Sequence, residues 1–178
     1  RLSVASGAVI EYPYRSARLG HWKVPPRMRL FRHYTELPAD VRGGVVALGN
    51  FDGVHRGHQA VIGTALELAR SRGVPASVMT FEPHPRQVFG KADAPFRLTP
   101  FRIKTRMIEA MGVDALSAKH FDMDFARHTA DDFVAEVLER NLAASHVVVG
   151  YDYVFGRDRG GDVAMLQRAA AEGRFGLT

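Results

Sequence analysis

Three short apolar runs, VVAL (45–48), ASVMTF (76–81) and HVVVG (146–150), punctuate this chain, and helical patterning fills the stretches between them. Runs this short suit strands rather than helices, and their lack of apolar/polar alternation suits strands covered on both faces. Residues 58–71 place Val61, Ala65, Leu68 and Ala69 on one helical face, with Gly73 set to end the helix. Thr99 followed by Pro100 signals another helix start, with Ile103, Met107 and Met111 on one side and Gly112 as the stop. Residues 114–118 form a further candidate strand. Thr129, with Asp132 three residues on, reads as a capping-box variant ahead of Phe133, Val134, Val137 and Leu138. Asp162 is placed to cap a last helix running to Gly173. Strands separated by helices pair in parallel through right-handed crossovers, so the expected fold is a doubly wound α/β sheet.

At 178 residues and 46% hydrophobic, the chain supports one well-buried core. The absence of cysteine excludes a disulfide scaffold and suits a reducing cytoplasm. No apolar run approaches a membrane span, and VASGAVI (4–10) is too short and too rich in small residues for a signal peptide. Charge is uneven. Residues 1–33 hold seven basic side chains against Glu11 alone, while the remainder holds 17 basic and 18 acidic residues. A basic arm can mark nucleic-acid or membrane contact. This one lacks periodicity and carries Pro13, Pro25 and Pro26, so residues 1–27 read as a disordered leader. The functional domain is then 28–178, starting where MRLFRHYTELP becomes regular. That body is nearly neutral, and neither nucleic acid nor membrane is expected as a partner; oligomeric state is not legible.

Chemistry concentrates in VALGNFDGVHRGHQ (46–59), where Gly49, Gly53 and Gly57 interleave with His55 and His58 at a strand-to-helix junction. A helix start presents unpaired N–H groups and the positive end of the peptide dipoles, and so attracts phosphate. Glycines let an anion approach the backbone. Two imidazoles three residues apart can point the same way and donate to one phosphate group. The local reading is a phosphate-handling loop, with a merely tight connection as the plain alternative. A zinc pair lacks further ligands at metal spacing, and neither the Walker pattern nor G-x-G-x-x-G is present.

Two further islands, FEPHPR (81–86) and GYDYVFGRDRGG (150–161), also follow strands, and ligands in such sheets bind beyond the carboxyl ends of strands. The combination GNFDGVHRGH, TFEPHP and VVGYDYVFG resembles the adenylyltransferase module of bacterial bifunctional riboflavin kinase/FMN adenylyltransferases (FAD synthetases), from about Met28 to the end of the chain. The resemblance implies a Rossmann-like sheet of the nucleotidylyltransferase superfamily and transfer of AMP from ATP to FMN, giving FAD and pyrophosphate. It implies an ATP site of Gly49, Phe51, Asp52, Gly53, His55, Gly57 and His58, with His55 and His58 catalytic. It implies a flavin side of Pro83, His84, Pro85, Phe89, Phe133, Asp152 and Phe155. Magnesium would accompany ATP, held by phosphate and water rather than by assigned protein ligands. Pro83, His84 and Pro85 also suit a rigid turn, Phe133 a core position and Asp152 an Asx-turn.

The same resemblance sets expectations about the end of the chain. FGLT (175–178) falls where a further strand should begin, and the family's Ser/Thr-rich segment ending in Arg and its riboflavin kinase domain do not follow. Kinase activity is accordingly not expected of this chain. Two alternatives to adenylylation of FMN stand beside it: a flavin- or nucleotide-binding fragment without turnover, and a related adenylyltransferase with another phosphate acceptor.

Overall fold

The computed structural model describes residues 27–32, 37–90 and 97–178. Apart from Arg27, the basic leader read over residues 1–27 lies outside them. One all-parallel sheet contains β1 (Arg29–Arg32), β2 (Val45–Leu48), β3 (Ala76–Glu82), β4 (Ala115–His120), β5 (His146–Val148) and β6 (Gly176–Leu177). Their order is β1-β4-β3-β2-β5-β6. The chain moves outward from β2 through β3 to β4, then returns across the sheet to set β5 on the other side of β2. The reversal between β2 and β5 creates a crevice beyond the carboxyl ends of the strands, the usual ligand position in this architecture. The fold is α/β and doubly wound.

Strand geometry divides the core into two layers. Successive side chains point to opposite faces, so Val45 and Ala47 pack into one layer and Val46 and Leu48 into the other. All four are at most 2% exposed, which is why this stretch shows no alternation. The first layer holds α1 (Arg56–Arg72), which buries Ile62, Ala65, Leu66 and Ala69, while Gly73 caps it in the left-handed conformation. Val61 and Leu68, read as part of that face, lie at its margin and are only partly buried. The short helix α2 (Pro85–Val88) follows β3, and α3 (Phe101–Ala110) returns to the first layer.

The second layer holds α4 (Ala130–Asp132), which runs directly into a π-helical stretch, Phe133–Asn141, and α5 (Val163–Ala171). Thr129 and Asp132 form the reciprocal cap expected of them, and Asp162 caps α5 by accepting from Met165 N.

Three features differ from the sequence reading. In α3 the buried stripe is Lys104 and Ile108, whereas Ile103 faces outward at 43% exposure. Strand β5 stops at Val148 rather than Gly150, and Val149 and Gly150 open the following loop. Strand β1 was not anticipated, because RLFR buries only Phe31 and its arginines mask the pattern. At FGLT, Gly176 and Leu177 pair with His146 and Val147. Among the described residues no helix is long and apolar enough to cross a membrane.

Candidate active site

After β2 the chain makes a tight 3₁₀ turn, Asp52–Val54, before α1 begins. Phe51 (φ 50°) and Val54 (φ 39°) both sit in the left-handed region, where such side chains cost about 1–3 kcal/mol and persist only if their surroundings fix them. The fixing is visible. Both side chains are at most 2% exposed, anchored in the first layer. Gly53 has φ +81°, and a Cβ there would stand 2.9 Å from Leu98 Cδ1. Between them Asp52 works as a clamp on the segment that leads into α3. Its Oδ1 accepts from Thr99 N at 2.9 Å and from the Thr99 hydroxyl at 3.1 Å, and its Oδ2 from Leu98 N at 2.9 Å. Gly53 N donates to Thr99 Oγ1 at 3.0 Å. Burial opposes ionisation of Asp52, but these donors and the nearby His84 outweigh it and hold its carboxyl below the ordinary value. Thr99 therefore does not cap α3. Its hydroxyl is used by the loop 46 residues earlier.

The clamp delivers His55 and His58 to the start of α1. Their rings stack with centroids 3.6 Å apart and planes 20° apart. His55 is the N-cap of α1, its Nδ1 accepting from His58 N at 3.3 Å, so its proton resides on Nε2. Gly57 fits beneath this ring: a Cβ there would lie 3.3 Å from His55 Nδ1. His58 also meets the edge of Phe51, centroids 5.3 Å apart. Its Nδ1 is buried and has no hydrogen-bond partner among the described residues. Burial first, then repulsion by His55, pushes the His58 pKa down to about 4, with Lys104 adding to the effect and Asp52 opposing it. At neutral pH His58 is an uncharged hydrogen-bonding group.

The exit of β3 joins this cluster. Glu82 is bound by Arg97, whose Nη2 lies 2.7 and 2.6 Å from its two oxygens. The Glu82–Pro83 peptide is cis. His84 then caps α2, its Nδ1 accepting from Arg86 N at 3.1 Å while Gln87 Oε1 accepts from His84 N at 3.2 Å. Pro85 occupies the first turn of that helix. The His84 imidazole is held below its ordinary pKa by burial, with Asp52 opposing and Lys104, Arg97 and Arg86 contributing. The loops after β2 and β3 thus share one electrostatic environment.

The sequence reading missed Lys104, the buried cation of this region. Only 3% exposed, it donates to Asn50 O at 2.9 Å and to Thr80 Oγ1 at 3.0 Å. Burial lowers its pKa to about 8, with Glu82 and Asp52 opposing the shift and Arg97 adding to it. Its position one helical turn before the buried Ile108 was the available signal.

The remaining aromatic candidates lie in the second layer. Phe133 (2% exposed) and Phe155 (7%) pack against each other at 5.2 Å, and Phe133 also meets Phe81 at 6.3 Å. Phe155 is pinned by paired backbone bonds with Gly161, at 3.0 and 2.9 Å. Both are core residues here. Phe89 is 48% exposed and meets the edge of Phe121 at 5.8 Å. Asp152 is exposed, with its Oδ1 folded over Gly150. The loop 150–161 contacts α4's approach through Arg157 N and His128 O, 2.7 Å apart. A cavity of about 410 Å³, lined by Val149, Tyr151, Gln167 and Thr178 among others, lies beside this third loop. The structure therefore brings the first two marked loops together and sets the third against the other layer.

Among the described residues no group of three or more His, Asp or Glu could hold a metal ion. A family model described as FAD synthetase matches residues 37–178. The bifunctional riboflavin kinase/FMN adenylyltransferase of Escherichia coli K12 is 41% identical over 152 residues, covering 85% of this chain and 49% of that protein. The protein of the same name from Pseudomonas fluorescens is 40% identical, covering 83% and 47%. The chain thus spans about half the length of the curated relatives it matches. The crystal structure of a macrolide-efflux protein from Streptococcus pneumoniae superimposes with a TM-score of 0.62 at 30% identity, covering 76% of this chain and 43% of that one.

Proposed function

This chain belongs to the FAD synthetase family, and from that premise we propose that it transfers the adenylyl group of ATP to FMN. An FMN phosphate oxygen attacks the α-phosphorus of ATP in line. The bond from that phosphorus to the bridging oxygen breaks, and pyrophosphate leaves with the electron pair, giving FAD. A phosphate monoester with a second pKa of about 6 is largely dianionic at neutral pH, so the nucleophile needs no general base. What the protein must supply is alignment of two polyanions and donors for the charge that develops on the leaving oxygens.

The observation that carries this reading is the stacked imidazole pair at the start of the 17-residue helix α1. His58, uncharged, offers a hydrogen bond without requiring a counter-ion, and the N–H groups of the first turn lie beside it. Gly49, Gly53 and Gly57 keep the backbone bare, while Phe51 and Asp52 serve from within, as anchor and clamp rather than as contacts to the nucleotide. Magnesium would enter as part of the Mg·ATP substrate, with phosphate and water as its donors; among the described residues no group of three or more His, Asp or Glu could hold it. On the flavin side, Phe89 has a free face, and Pro83, His84 and Pro85 shape the wall next to it. Phe133 and Phe155 back that wall from the core, and Asp152 would approach the flavin from the third loop. The reaction is assigned to the cytoplasm, with ATP and FMN as the partners.

The test is direct. The chain is incubated with ATP, magnesium and FMN, and the products are separated by chromatography. FAD is expected. FMN fluorescence quenching without FAD would instead favour a flavin-binding module without turnover, and adenylylation of a different phosphate acceptor would reassign the flavin side.

A further inference from the structure

Lys104 takes no part in the chemistry just described, yet it is one of the most deeply buried polar groups in the molecule. A lysine ammonium is expensive to remove from water, so its retention at 3% exposure calls for a role in the local arrangement. Its two oxygen partners are informative. Asn50 O belongs to the first residues after β2, at the entry to the histidine loop, and Thr80 Oγ1 belongs to the adjacent strand β3. Thr80 in turn donates to Asn50 O at 3.0 Å. The three groups close a triangle that ties the loop's point of departure to the sheet from below. From there the chain must pass through three positive-φ residues, Phe51, Gly53 and Val54, before it reaches His55.

We propose that Lys104 is the positioning residue of the triphosphate site: through Asn50 and Thr80 it sets the angle at which the glycine/histidine loop leaves the sheet, and its charge underlies the place where the polyphosphate lies. The proposal rests on the nucleotide-binding reading of that loop. Three features of the site support it. The ammonium uses two of its three N–H groups on protein oxygens among the described residues. It is electrostatically coupled to both His58 and His84, in the loops after β2 and β3. The clamp formed by Asp52 and Thr99 fixes the same loop from the other side, so the loop is held at two points and leaves His55 and His58 little freedom to turn. A neighbouring cation also disfavours a proton on His58, keeping that ring an uncharged donor.

The experiment separates this role from simple packing. Wild type, Lys104→Met, Thr80→Val and Thr80→Ser are titrated with inorganic tripolyphosphate and with Mg·ATP, reading thermal unfolding shifts, and with FMN, reading fluorescence quenching. Lys104→Met should bind tripolyphosphate and ATP about tenfold or more weakly, the loss expected when a charged hydrogen-bonding group is removed, with FMN affinity within about twofold. Thr80 is fully buried, so a packing role would favour the isosteric Val over the smaller Ser. The positioning role requires the reverse: Thr80→Ser should match wild type and Thr80→Val should lose about threefold or more in ATP affinity. Wild-type affinity in Lys104→Met and Thr80→Val, or a wild-type chain that does not bind tripolyphosphate, would overturn the proposal. If Lys104→Met fails to fold, the Val/Ser pair decides. A wild-type chain that binds ATP but forms no FAD removes the adenylyl-transfer reading alone, and the binding series still decides the role of Lys104.

Discussion

At the carboxyl edge of the sheet, the layer carrying α1 and α3 ends in polar groups that hold one another by hydrogen bonds, whereas the layer carrying α4 and α5 ends in packed phenylalanine rings. The polar end contains strained backbone at Phe51 and Val54, a buried lysine, and a histidine nitrogen with no partner among the described residues. The aromatic end contains Phe81, Phe121, Phe125, Phe133 and Phe155 in mutual edge-on or tilted contact. The polar end breaks local rules at the very residues that hold the histidine pair, whereas the breaks at the aromatic end, left-handed Asp158 and Arg159 and the π-helical stretch, accompany apolar packing. Natural sequences tolerate such violations chiefly where function demands them. The comparison therefore assigns chemistry to one end and stability to the other, and substitutions at the two ends should separate accordingly.

The largest effect is expected from Phe133→Ala. Its ring is 2% exposed and touches Phe81, Phe125 and Phe155, so truncation should cost about 3–5 kcal/mol of stability. Urea unfolding measures it directly. A loss below about 1 kcal/mol would show that the ring is not the keystone of that layer, and would return it to the flavin wall. His58→Ala should behave in the opposite way. Turnover is expected to fall about 100- to 1000-fold, as when one donor to developing charge is removed, with the melting temperature and FMN affinity little changed. Near-normal turnover with lost stability would place His58 among the packing residues and erase the contrast between the two ends.

The same contrast explains what could be read from the sequence. VVAL was legible to the residue because all four side chains are buried, and no competing signal intrudes. The caps at Thr129 and Asp162 were legible because both partners lie within one turn. The π-helical continuation of α4 was not, since its apolar residues satisfy an ordinary helical pattern equally well. The His55/His58 pair was visible from spacing alone. Its supports were hidden: Asp52 reaches Thr99, and Lys104 reaches Asn50, over 47 and 54 residues of chain. Such long-range hydrogen bonds leave no periodicity, and hydropathy places a lysine on the outside. Phe155 misled for a related reason, because a glycine-flanked loop suggests exposure while its paired bonds with Gly161 draw the ring into the core.

A smaller effect should appear on acidification. His58, His84 and His146 are all held below the ordinary imidazole value of 6.5, chiefly by burial. The unfolded chain, with ordinary imidazoles, binds protons that the native chain refuses. Stability from this source is fully present above about pH 6.5 and is lost as pH falls toward 4, the native value for His58. Unfolding curves at pH 7 and pH 5 should show the loss, and His58→Ala should make it shallower. Equal slopes in the two proteins would mean that the polar end does not hold His58 uncharged.

The smallest effect on stability, and the sharpest on the comparison, is expected at Phe89. Among the aromatic residues read as flavin contacts, it alone combines the aromatic end with substantial exposure, being 48% exposed and in edge contact with Phe121. Truncation to alanine exposes no core and removes little buried area, so stability should change by no more than about 0.5 kcal/mol. Stacking of an aromatic ring on a flat ligand contributes about 0.5–1.5 kcal/mol, so FMN affinity in Phe89→Ala should fall roughly two- to tenfold by fluorescence quenching. ATP affinity should be untouched, because Phe89 and the histidine pair are held by different elements. Unchanged FMN binding would leave the aromatic end with structural work only and move the flavin toward the open cavity beside β5 and β6.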